Sequence, residues 1–589
     1  MGIPSYFAHV LKKYPGVIKR LAELPCINNL YLDCNGMIYD VVRQMQYKPE
    51  DQAAYEADML QRICESIDAC IAILNPSDCV FVAFDGVAPV AKLNQQRERR
   101  YKSWYLGEME AQRRRELSKA QVAAPKPAWN TSAITPGTKF MNALHKKLTE
   151  YYAANNGNSN NGNTPKIILS SSNEPGEGEH KLFEYIREHA AEHADKTTVI
   201  YGLDADLIML CMSHLHISRG IYLYRETPEF VKSINVALDE KERYYMDIPE
   251  FADAVVKNLR PGERIPIPNH SIQPLGVWGA LVVPQLDYIF MCFMLGNDFM
   301  PHFPALNIRT TGIATLMEAH RTVFKPGESI IQLHTATATA TDTATSTATD
   351  TATATAWPWS IHWPNYKKFV AHLAAQELTL IRKEHGTRDR QARHMRDTDK
   401  EDDVMHDVLM LPMTQREVER HINPFEPGWE RRYYASLCDI HNADDKAIAS
   451  LCRNYLEGME WTFRYYTSGC VDWKWTYANH YPPLLADLVK HIPETYNPGN
   501  DPTNAFSFLR AKPKEPIRDV VQLCYVLPRA SHALLPPAVE RALMRSKLRS
   551  KYTDDGSPNF KWAYCKYFWE CHTDLPELDL EELAQIVSS

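Results

Sequence analysis

Short apolar runs that end in a turn or an acidic residue recur through the first half of the chain. Four of them are Asn29–Leu32, Val80–Phe84, Lys166–Leu169 and Val199–Leu203. Helical stretches separate these runs, and the alternation predicts an α/β domain with a largely parallel sheet. Ligand sites in such sheets lie beyond the carboxyl ends of the strands. We therefore expect the functional residues at that edge.

Three polar segments interrupt this pattern. Residues Thr335 to Ala356 are almost pure Thr-Ala alternation, with too little apolar bulk to offset the entropy of ordering, and we interpret them as a flexible insertion. The charged stretch from Arg382 to Asp407 predicts a solvated helix or loop, and Asn155 to Asn163 predicts a loop. The predicted organisation is a first region over residues 1–330, a low-complexity and polar linker over 331–407, and a mainly helical second region over 408–589.

The composition excludes several classes of protein. Of the 589 residues, 44% are apolar and 23% are charged, with a formal net charge of −8, as in a soluble globular protein. No apolar run approaches the ~20 residues that span a bilayer, and the N-terminus lacks the apolar stretch of a secretory signal. Thirteen scattered cysteines without a Cys-x-x-Cys pair indicate a reduced, intracellular chain without a zinc site.

Acidic side chains gather where the predicted strands and turns end. They are Asp33, Asp85, Glu177, Glu179, Asp204, Asp206 and Asp298. A single acid in such a place is more often only a cap, but seven carboxylates at one sheet edge would repel one another strongly. Hard divalent cations remove that conflict because they prefer oxygen ligands and neutralise charge. Two such ions about 4 Å apart support phosphodiester hydrolysis. The set therefore predicts a metal-dependent phosphotransfer site, without naming its substrate.

A basic segment follows Asp85. Its members Lys92, Gln96, Arg99 and Arg100 are spaced so that they share one face of a helix. Three cations and an amide donor beside a metal site would form a receptor for a terminal phosphate. A compact pocket of this kind would favour a monophosphate over a triphosphate or a cap. The alternative is a solvated basic face, which is the commoner outcome for a run of charges.

In order and spacing, the motifs resemble the XRN family of 5′→3′ exoribonucleases. Those of the first half are Met1-Gly2-Ile3-Pro4, Leu32-Asp33-Cys34-Asn35-Gly36, Phe84-Asp85-Gly86, Glu174-Pro175-Gly176-Glu177-Gly178-Glu179-His180, Gly202-Leu203-Asp204-Ala205-Asp206 and Gly296-Asn297-Asp298. Those of the second half are Tyr455-Leu456-Glu457-Gly458, Tyr465-Tyr466, Trp473-Lys474-Trp475 and Val526-Leu527-Pro528. Only the two conserved catalytic regions of the family are recognisable, so we expect a minimal form of the enzyme, of viral or protist origin.

The resemblance implies a PIN/FEN-like nuclease fold for residues 1–330, completed by a helical second conserved region packed against it. It implies that the seven acids hold two Mg²⁺ ions, which Mn²⁺ can replace, and that the four residues of the basic face bind the 5′-monophosphate. The family holds the leading bases between two rings. Here Tyr39 stands where the family has His, and the second ring is Trp473 or Trp475, with core burial an equally good interpretation for either tryptophan.

The expected activity is processive 5′→3′ hydrolysis of single-stranded RNA with a 5′-monophosphate, such as decapped mRNA, to nucleoside 5′-monophosphates. We expect a monomer in the cytoplasm, with a nuclear location also open, that receives RNA from a decapping machinery and peels duplex ends with its segment Gly2–Phe7. One alternative is a flap-endonuclease-like nuclease, disfavoured because no Gly-x-Gly run follows Asp298. The other is an inactive RNA-binding scaffold, disfavoured because all seven acids are present.

Overall fold

The computed structural model describes residues 5–24, 26–117, 128–156, 165–225, 239, 242–262, 275–333, 359–398, 404–442, 444–494, 506–509, 515–552 and 559–588. The strands are β1 (Ile18–Arg20), β2 (Asn29–Asp33), β3 (Cys79–Ala83), β4 (Lys166–Ser170), β5 (Thr198–Tyr201), β6 (Ile221–Tyr224), β7 (Tyr244–Met246), β8 (Ile331–Leu333), β9 (Trp359–Ile361), β10 (Phe560–Lys561) and β11 (His572–Thr573).

The α-helices of the first half are α1 (Tyr6–Lys13), α2 (Asn35–Gln44), α3 (Gln52–Leu74), α4 (Val90–Leu117), α5 (Lys139–Asn156), α6 (Gly178–Glu188), α7 (Ala190–His193), α8 (Asp206–Ser213), α9 (Ile248–Leu259), α10 (Leu275–Cys292) and α11 (Gly312–Val323). Those of the second half are α12 (Trp363–Ala374), α13 (Glu377–Thr398), α14 (Val404–Leu409), α15 (Leu411–Thr414), α16 (Glu417–Ile422), α17 (Trp429–Leu437), α18 (Asp445–Ser468), α19 (Leu485–His491), α20 (Asp519–Val526), α21 (Pro537–Arg545) and α22 (Leu580–Ser588).

Seven strands form one sheet in the order β1-β7-β6-β5-β2-β3-β4. The five strands from β6 to β4 are parallel, and β7 and β1 continue the sheet in antiparallel pairing. From the central β2 the chain first adds β3 and β4 on one side and later β5 and β6 on the other. The strand order thus reverses beside β2, which is the position where open α/β sheets bind ligands. The predicted, mostly parallel sheet is confirmed.

Both faces of the sheet are covered by helices. Leu30 and Leu32 of β2 pack with α2, α3 and α5, whereas Tyr31 between them packs with α6 on the opposite face. Successive side chains of a strand point to opposite faces, so a strand that is buried on both sides reads as one apolar run. This burial is the reason why the apolar runs of the sequence mark the strands.

Side-chain caps define the starts of two helices. Asp247 accepts a hydrogen bond from the N–H of Glu250 at the start of α9. Asp444 does the same for the N–H groups of Lys446 and Ala447 at the start of α18. Such caps satisfy backbone donors that have no partner inside the helix. Among the described residues, no helix combines the length and the apolar character that crossing a bilayer requires.

The second half is mainly helical and packs against the first, as expected. Trp461 and Phe463 of α18 belong to the same apolar core as α6 and α8. Gly458 lets α18 approach the segment that follows Asp298, because an added Cβ at this glycine would lie 2.2 Å from Met300 Sδ. Since real Cβ contacts are essentially never that short, a side chain here would force Met300 or the helix to shift. The second half therefore lies directly against the acid-bearing edge.

The polar linker expected over 331–407 differs from the structure in its second part. Residues 359–398 form β9, α12 and α13, and Trp363, Tyr366 and Ile381 belong to the main apolar core. Charged residues masked this apolar stripe in the sequence, since a helix needs only one apolar face to pack. The Thr-Ala tract and most of the loop over Asn155–Asn163 lie outside the described residues, and the boundaries at 330 and 407 stay a prediction.

A buried cluster of ion pairs joins α13 to Tyr564 and Cys565 in the last part of the chain. Arg388 Nη2 contacts Glu419 Oε1 at 2.7 Å, and Arg416 Nε contacts Glu419 Oε2 at 2.6 Å. The same carboxylate accepts the N–H of Tyr564 at 2.8 Å, and Arg388 donates to the carbonyl of Cys565 at 2.8 Å. The solvated helix or loop expected over this charged stretch is a helix, but it is not solvated at Arg388, which is only 2% exposed.

Replacing Glu419 with Ala should lower the free energy of unfolding by about 3–5 kcal/mol, because the buried Arg388 would lose its carboxylate partner and Arg416 would keep only Asp389. Urea or thermal unfolding followed by circular dichroism measures the loss. Glu426→Ala removes an exposed carboxylate from the neighbouring loop and should leave the midpoint unchanged. An unaltered midpoint for Glu419→Ala would contradict a structural role for the cluster.

Candidate active site

The structure brings the seven predicted acids together at the carboxyl edge of the sheet. Three follow strands: Asp33 ends β2, Asp85 follows β3 and Asp204 follows β5. Four lie at helix starts or after a turn: Glu177 and Glu179 at the start of α6, Asp206 at the start of α8, and Asp298 after the 3-10 turn Phe293–Leu295. In the register of the sheet, Asp33 lies opposite Ala83. The ends of these strands are therefore level, and their acids face one space.

Contacts tie these acids into one site. Three of them have carboxylate oxygens within 4.8 Å of one another: Glu179, Asp204 and Asp206. Asp85 Oδ1 accepts a hydrogen bond of 2.7 Å from the N–H of Gly178. An added Cβ at Gly178 would lie 2.6 Å from Asp33 Oδ1. Glycine at this position therefore allows α6 to begin against the ends of β2 and β3.

Burial and mutual repulsion disfavour the charged forms of these acids. Burial, followed by the neighbouring carboxylates Asp85 and Asp204, raises the pKa of Asp33 well above its usual range. Burial and the Asp206 carboxylate do the same to the pKa of Glu179. The pKa of Asp206 is raised to about 7, chiefly by burial. A bound cation would reverse these directions because it stabilises the carboxylate form.

The donor set fits a hard divalent cation. Three buried carboxylate oxygens have no hydrogen-bond partner within the described part of the chain: Asp33 Oδ1, Glu179 Oε2 and Asp206 Oδ1. Buried oxygens of this kind are costly without a partner, and they are the ligands that Mg²⁺ and Mn²⁺ prefer. Nothing in the oxygen set distinguishes between the two ions.

Lys92 lies among the acids and apart from the other residues of the basic face. Its Nζ is 2.5 Å from Glu177 Oε2 and 2.7 Å from Asp298 Oδ2, and all three side chains are buried. Burial works to lower the pKa of Lys92, but the carboxylates of Asp298 and Glu177 outweigh it and hold that pKa well above the usual range. Likewise, burial would raise the pKa of Asp298, but the ammonium of Lys92 keeps it low. Lys92 thus acts as an internal counter-charge.

The other three members of the predicted phosphate pocket lie further along α4. Arg99 is exposed, whereas Gln96 and Arg100 are half-buried. Arg100 Nη2 donates to Thr135 Oγ1 at 2.6 Å, and its buried Nη1 has no partner among the described residues. Burial lowers the pKa of Arg100 to about 10, while Tyr39 acts in the opposite direction. A guanidinium with unused donors beside a phenol ring is compatible with a phosphate pocket.

The candidate stacking rings differ in exposure. Tyr39 and Trp473 are half-buried, and the carbonyl of Trp473 accepts the N–H of Val90 at the start of α4 at 2.9 Å. Trp475 is only 8% exposed and stacks on Trp461, with ring centroids 5.0 Å apart. Trp475 is therefore a core residue in this structure, as the packing interpretation expected.

Two sequence models of one family together match most of the chain. The model described as "XRN 5'-3' exonuclease N-terminus" matches residues 1–227, and the one described as "Xrn1 helical domain" matches residues 286–415 and 384–589. The chain belongs to the XRN exonuclease family. It is therefore a 5′-3′ exonuclease by family, which confirms the resemblance seen in the motifs. XRN nucleases depend on metal ions, and the cluster of Glu179, Asp204 and Asp206 offers a site for one.

Exoribonucleases of several organisms are similar in sequence to nearly the whole of this chain. The chicken protein named "5'-3' exoribonuclease 2" is 28% identical over 99% of this chain and 69% of its own length. The human protein named "5'-3' exoribonuclease 1" is 26% identical over 100% of this chain and 34% of its own length. A fission yeast protein, also named "5'-3' exoribonuclease 1", is 25% identical over 93% of this chain and 45% of its own length.

An aromatic pair that the sequence analysis missed lies beside α4 of this XRN protein. Trp569 is 41% exposed and stacks on Tyr567, with centroids 4.2 Å apart and planes at 17°. Lys566 Nζ and Arg309 Cζ lie 4.9 Å and 5.7 Å from the centre of the Tyr567 ring. The carbonyl of Trp569 accepts from Lys102 of α4 at 3.2 Å. The sequence did contain a signal for this pair, namely a lysine followed by an aromatic-x-aromatic pattern.

Arg225 is a second residue that the analysis missed. It directly follows β6, in the place that acids occupy after neighbouring strands. Its guanidinium carbon lies 3.9 Å from the centre of the Phe7 ring, and its buried Nε has no partner among the described residues. Burial lowers the pKa of Arg225 to about 10, and the Asp204 carboxylate opposes this shift.

The segment Gly2–Phe7 was expected to peel duplex ends. Its residues 2–4 lie outside the described residues, so this role stays a prediction.

Replacing Lys92 with Met should destabilise the metal-free protein by about 3–5 kcal/mol, because the buried carboxylates of Glu177 and Asp298 would lose the ammonium between them. Added Mg²⁺ should then raise the melting temperature more in this variant than in the unmodified protein. Melting curves in EDTA and in Mg²⁺ measure both effects. Lys146→Met, which removes an exposed lysine, is the control. Equal melting temperatures of Lys92→Met and the unmodified protein in EDTA would refute the counter-charge role.

Proposed function

We propose that this protein is a processive 5′→3′ exoribonuclease that acts on single-stranded RNA with a 5′-monophosphate and releases nucleoside 5′-monophosphates. The observation that carries the proposal is the placement of seven carboxylates at one sheet edge, directly beside the basic helix α4. A phosphodiester can lie against the first group while a terminal phosphate contacts the second. The names of the relatives, which are 5′-3′ exoribonucleases, support RNA as the substrate.

Two divalent ions, Mg²⁺ or Mn²⁺, would be held by the seven acids. When bound, such ions activate the attacking water and stabilise the leaving oxygen. The chain's own residues supply the frame: the N–H of Gly178 orients Asp85, and Asn35 donates to the same carboxylate. Lys92 would compete with an ion for Glu177 and Asp298, since its ammonium already contacts one oxygen of each carboxylate.

The terminal phosphate would be held by Gln96, Arg99 and Arg100, with Lys92 at the acid-facing end of the same helix. Charge-assisted hydrogen bonds from guanidinium groups to phosphate are strong and directional. Because Arg100 is already anchored by Thr135, little ordering is needed on binding. A pocket with these few donors suits a monophosphate and leaves the bulk of a triphosphate or cap without a place.

Base stacking would hold the strand without reading its sequence. Tyr39 is a candidate ring beside the phosphate pocket, since it lies near Arg100. For the second ring we propose Trp569 in place of Trp475, because Trp569 is exposed and stacks on Tyr567, whose ring contacts Arg309 and Lys566. Trp473 stays a candidate. Aromatic faces and phosphate contacts are sequence-neutral, which favours processive movement.

The monophosphate requirement suggests the source of the substrate. Removal of a cap leaves a 5′-monophosphate, so decapped mRNA is the substrate we propose, delivered by a decapping activity. We propose that the enzyme works on it in the cytoplasm and as a monomer.

One RNA prepared with a 5′-monophosphate, a 5′-triphosphate or a 5′-hydroxyl tests the proposed end selection. Mononucleotides should accumulate from the monophosphate RNA alone, without shortened intermediates, in assays that follow labels at both ends. Asp206→Asn should slow this reaction about 100-fold or more, yet leave RNA binding in EDTA intact. Asp58→Asn, on the surface of α3, is the control. Equal degradation of all three RNAs would overturn the end selection, and full activity of Asp206→Asn would overturn the metal site.

Replacing Trp569 with Ala should raise KM for RNA about 5- to 150-fold, since a base–aromatic contact contributes about 1–3 kcal/mol. Steady-state kinetics on an unstructured RNA measures the change, and kcat should move less than KM. Phe506→Ala removes another exposed ring, one that packs edge-on against Phe508, and should leave KM unchanged. If KM for Trp569→Ala equals that of the unmodified protein, another residue is the second stacking ring, and Trp473→Ala is the next variant to measure.

A further inference from the structure

A tyrosine of the second half reaches into the acid cluster. Tyr465 of α18 donates its hydroxyl hydrogen to Glu177 Oε1 at 2.9 Å, and both residues are buried. The other oxygen, Glu177 Oε2, contacts Lys92 Nζ at 2.5 Å. Each oxygen of this carboxylate therefore has its own partner, and the two partners lie on different halves of the chain. Rotation of the Glu177 carboxylate would break both contacts.

The ring of Tyr465 is itself clamped. It stacks on His180 of α6 with centroids 3.7 Å apart and planes at 19°. On the α18 side it stacks on Trp461 at 4.9 Å, and Trp461 stacks in turn on Trp475 at 5.0 Å. Phe299, the residue after Asp298, meets the ring edge-on at 5.6 Å. Rings packed on both faces and on one edge leave the hydroxyl little freedom to move away from Glu177.

We infer that Tyr465 is a positioning residue that sets the orientation of Glu177, so that Oε2 stays turned toward Lys92 and would be available to a divalent ion. The inference rests on the proposed function, because it assumes that Glu177 is one of the metal ligands. It makes the second half of the chain part of the metal site. Hydrogen bonds to ligating carboxylates commonly tune metal affinity in this way.

Tyr465→Phe removes the hydroxyl and keeps the ring, so the aromatic stack stays in place. Isothermal titration of the full chain with Mn²⁺ should show binding weakened about tenfold or more. In kinetics with RNA, kcat should fall at limiting Mg²⁺ while KM for RNA stays within about twofold, and raised Mg²⁺ should restore part of kcat. Metal affinity is a readout that a purely structural tyrosine would not change.

Tyr433→Phe is the matched control. Tyr433 is equally buried, and its hydroxyl donates to the carbonyl of Pro482 at 2.9 Å and not to any of the seven acids. Both variants lose one buried hydrogen bond and should have similar melting temperatures, but only Tyr465→Phe should lose Mn²⁺ affinity. Equal Mn²⁺ affinity of Tyr465→Phe and the unmodified protein would overturn the positioning role. If the unmodified protein binds no Mn²⁺, the proposed metal site itself is wrong.

Discussion

Repulsion among seven carboxylates at one sheet edge is the constraint on which the rest of the structure depends. The acids are held close by the level ends of parallel strands and by the starts of two helices, and burial denies them the screening of bulk water. Within the described residues, Lys92 is the cation in contact with two of them. An excess of negative charge remains, and among the described residues three carboxylate oxygens lack a hydrogen-bond partner. This edge of the sheet therefore attracts cations strongly.

The helix α4 organises the space around that edge. Lys92 near its start contacts the acids, Arg100 donates to Thr135, and Lys102 donates to the carbonyls of Trp569 and Cys571. The ten residue steps from Lys92 to Lys102 correspond to about 15 Å along a helix. One helix thus links the acid cluster, the candidate phosphate pocket and the exposed aromatic pair, and fixes the distances between them.

The sequence supported a large part of this picture. The apolar runs predicted the parallel sheet because strands buried on both faces read as continuous apolar segments, and the acids after them were predicted to meet because parallel strands end at a common edge. The chain belongs to the family that the motifs indicated. The roles of individual residues stay predictions. Within the stretch predicted as a polar linker, the charged residues of α13 hid a packed face and the buried Arg388.

By itself, the sequence determined which chemical groups are available and, through local spacing, which of them share a strand end or a helix face. Only the tertiary structure decided which groups meet across elements distant in the chain. It placed Tyr465 against Glu177, drew Lys92 into the acid cluster, buried Trp475 and left Trp569 exposed. These outcomes depend on how whole helices pack, and a tryptophan or a lysine looks the same in the sequence whether packing encloses it or leaves it in solvent.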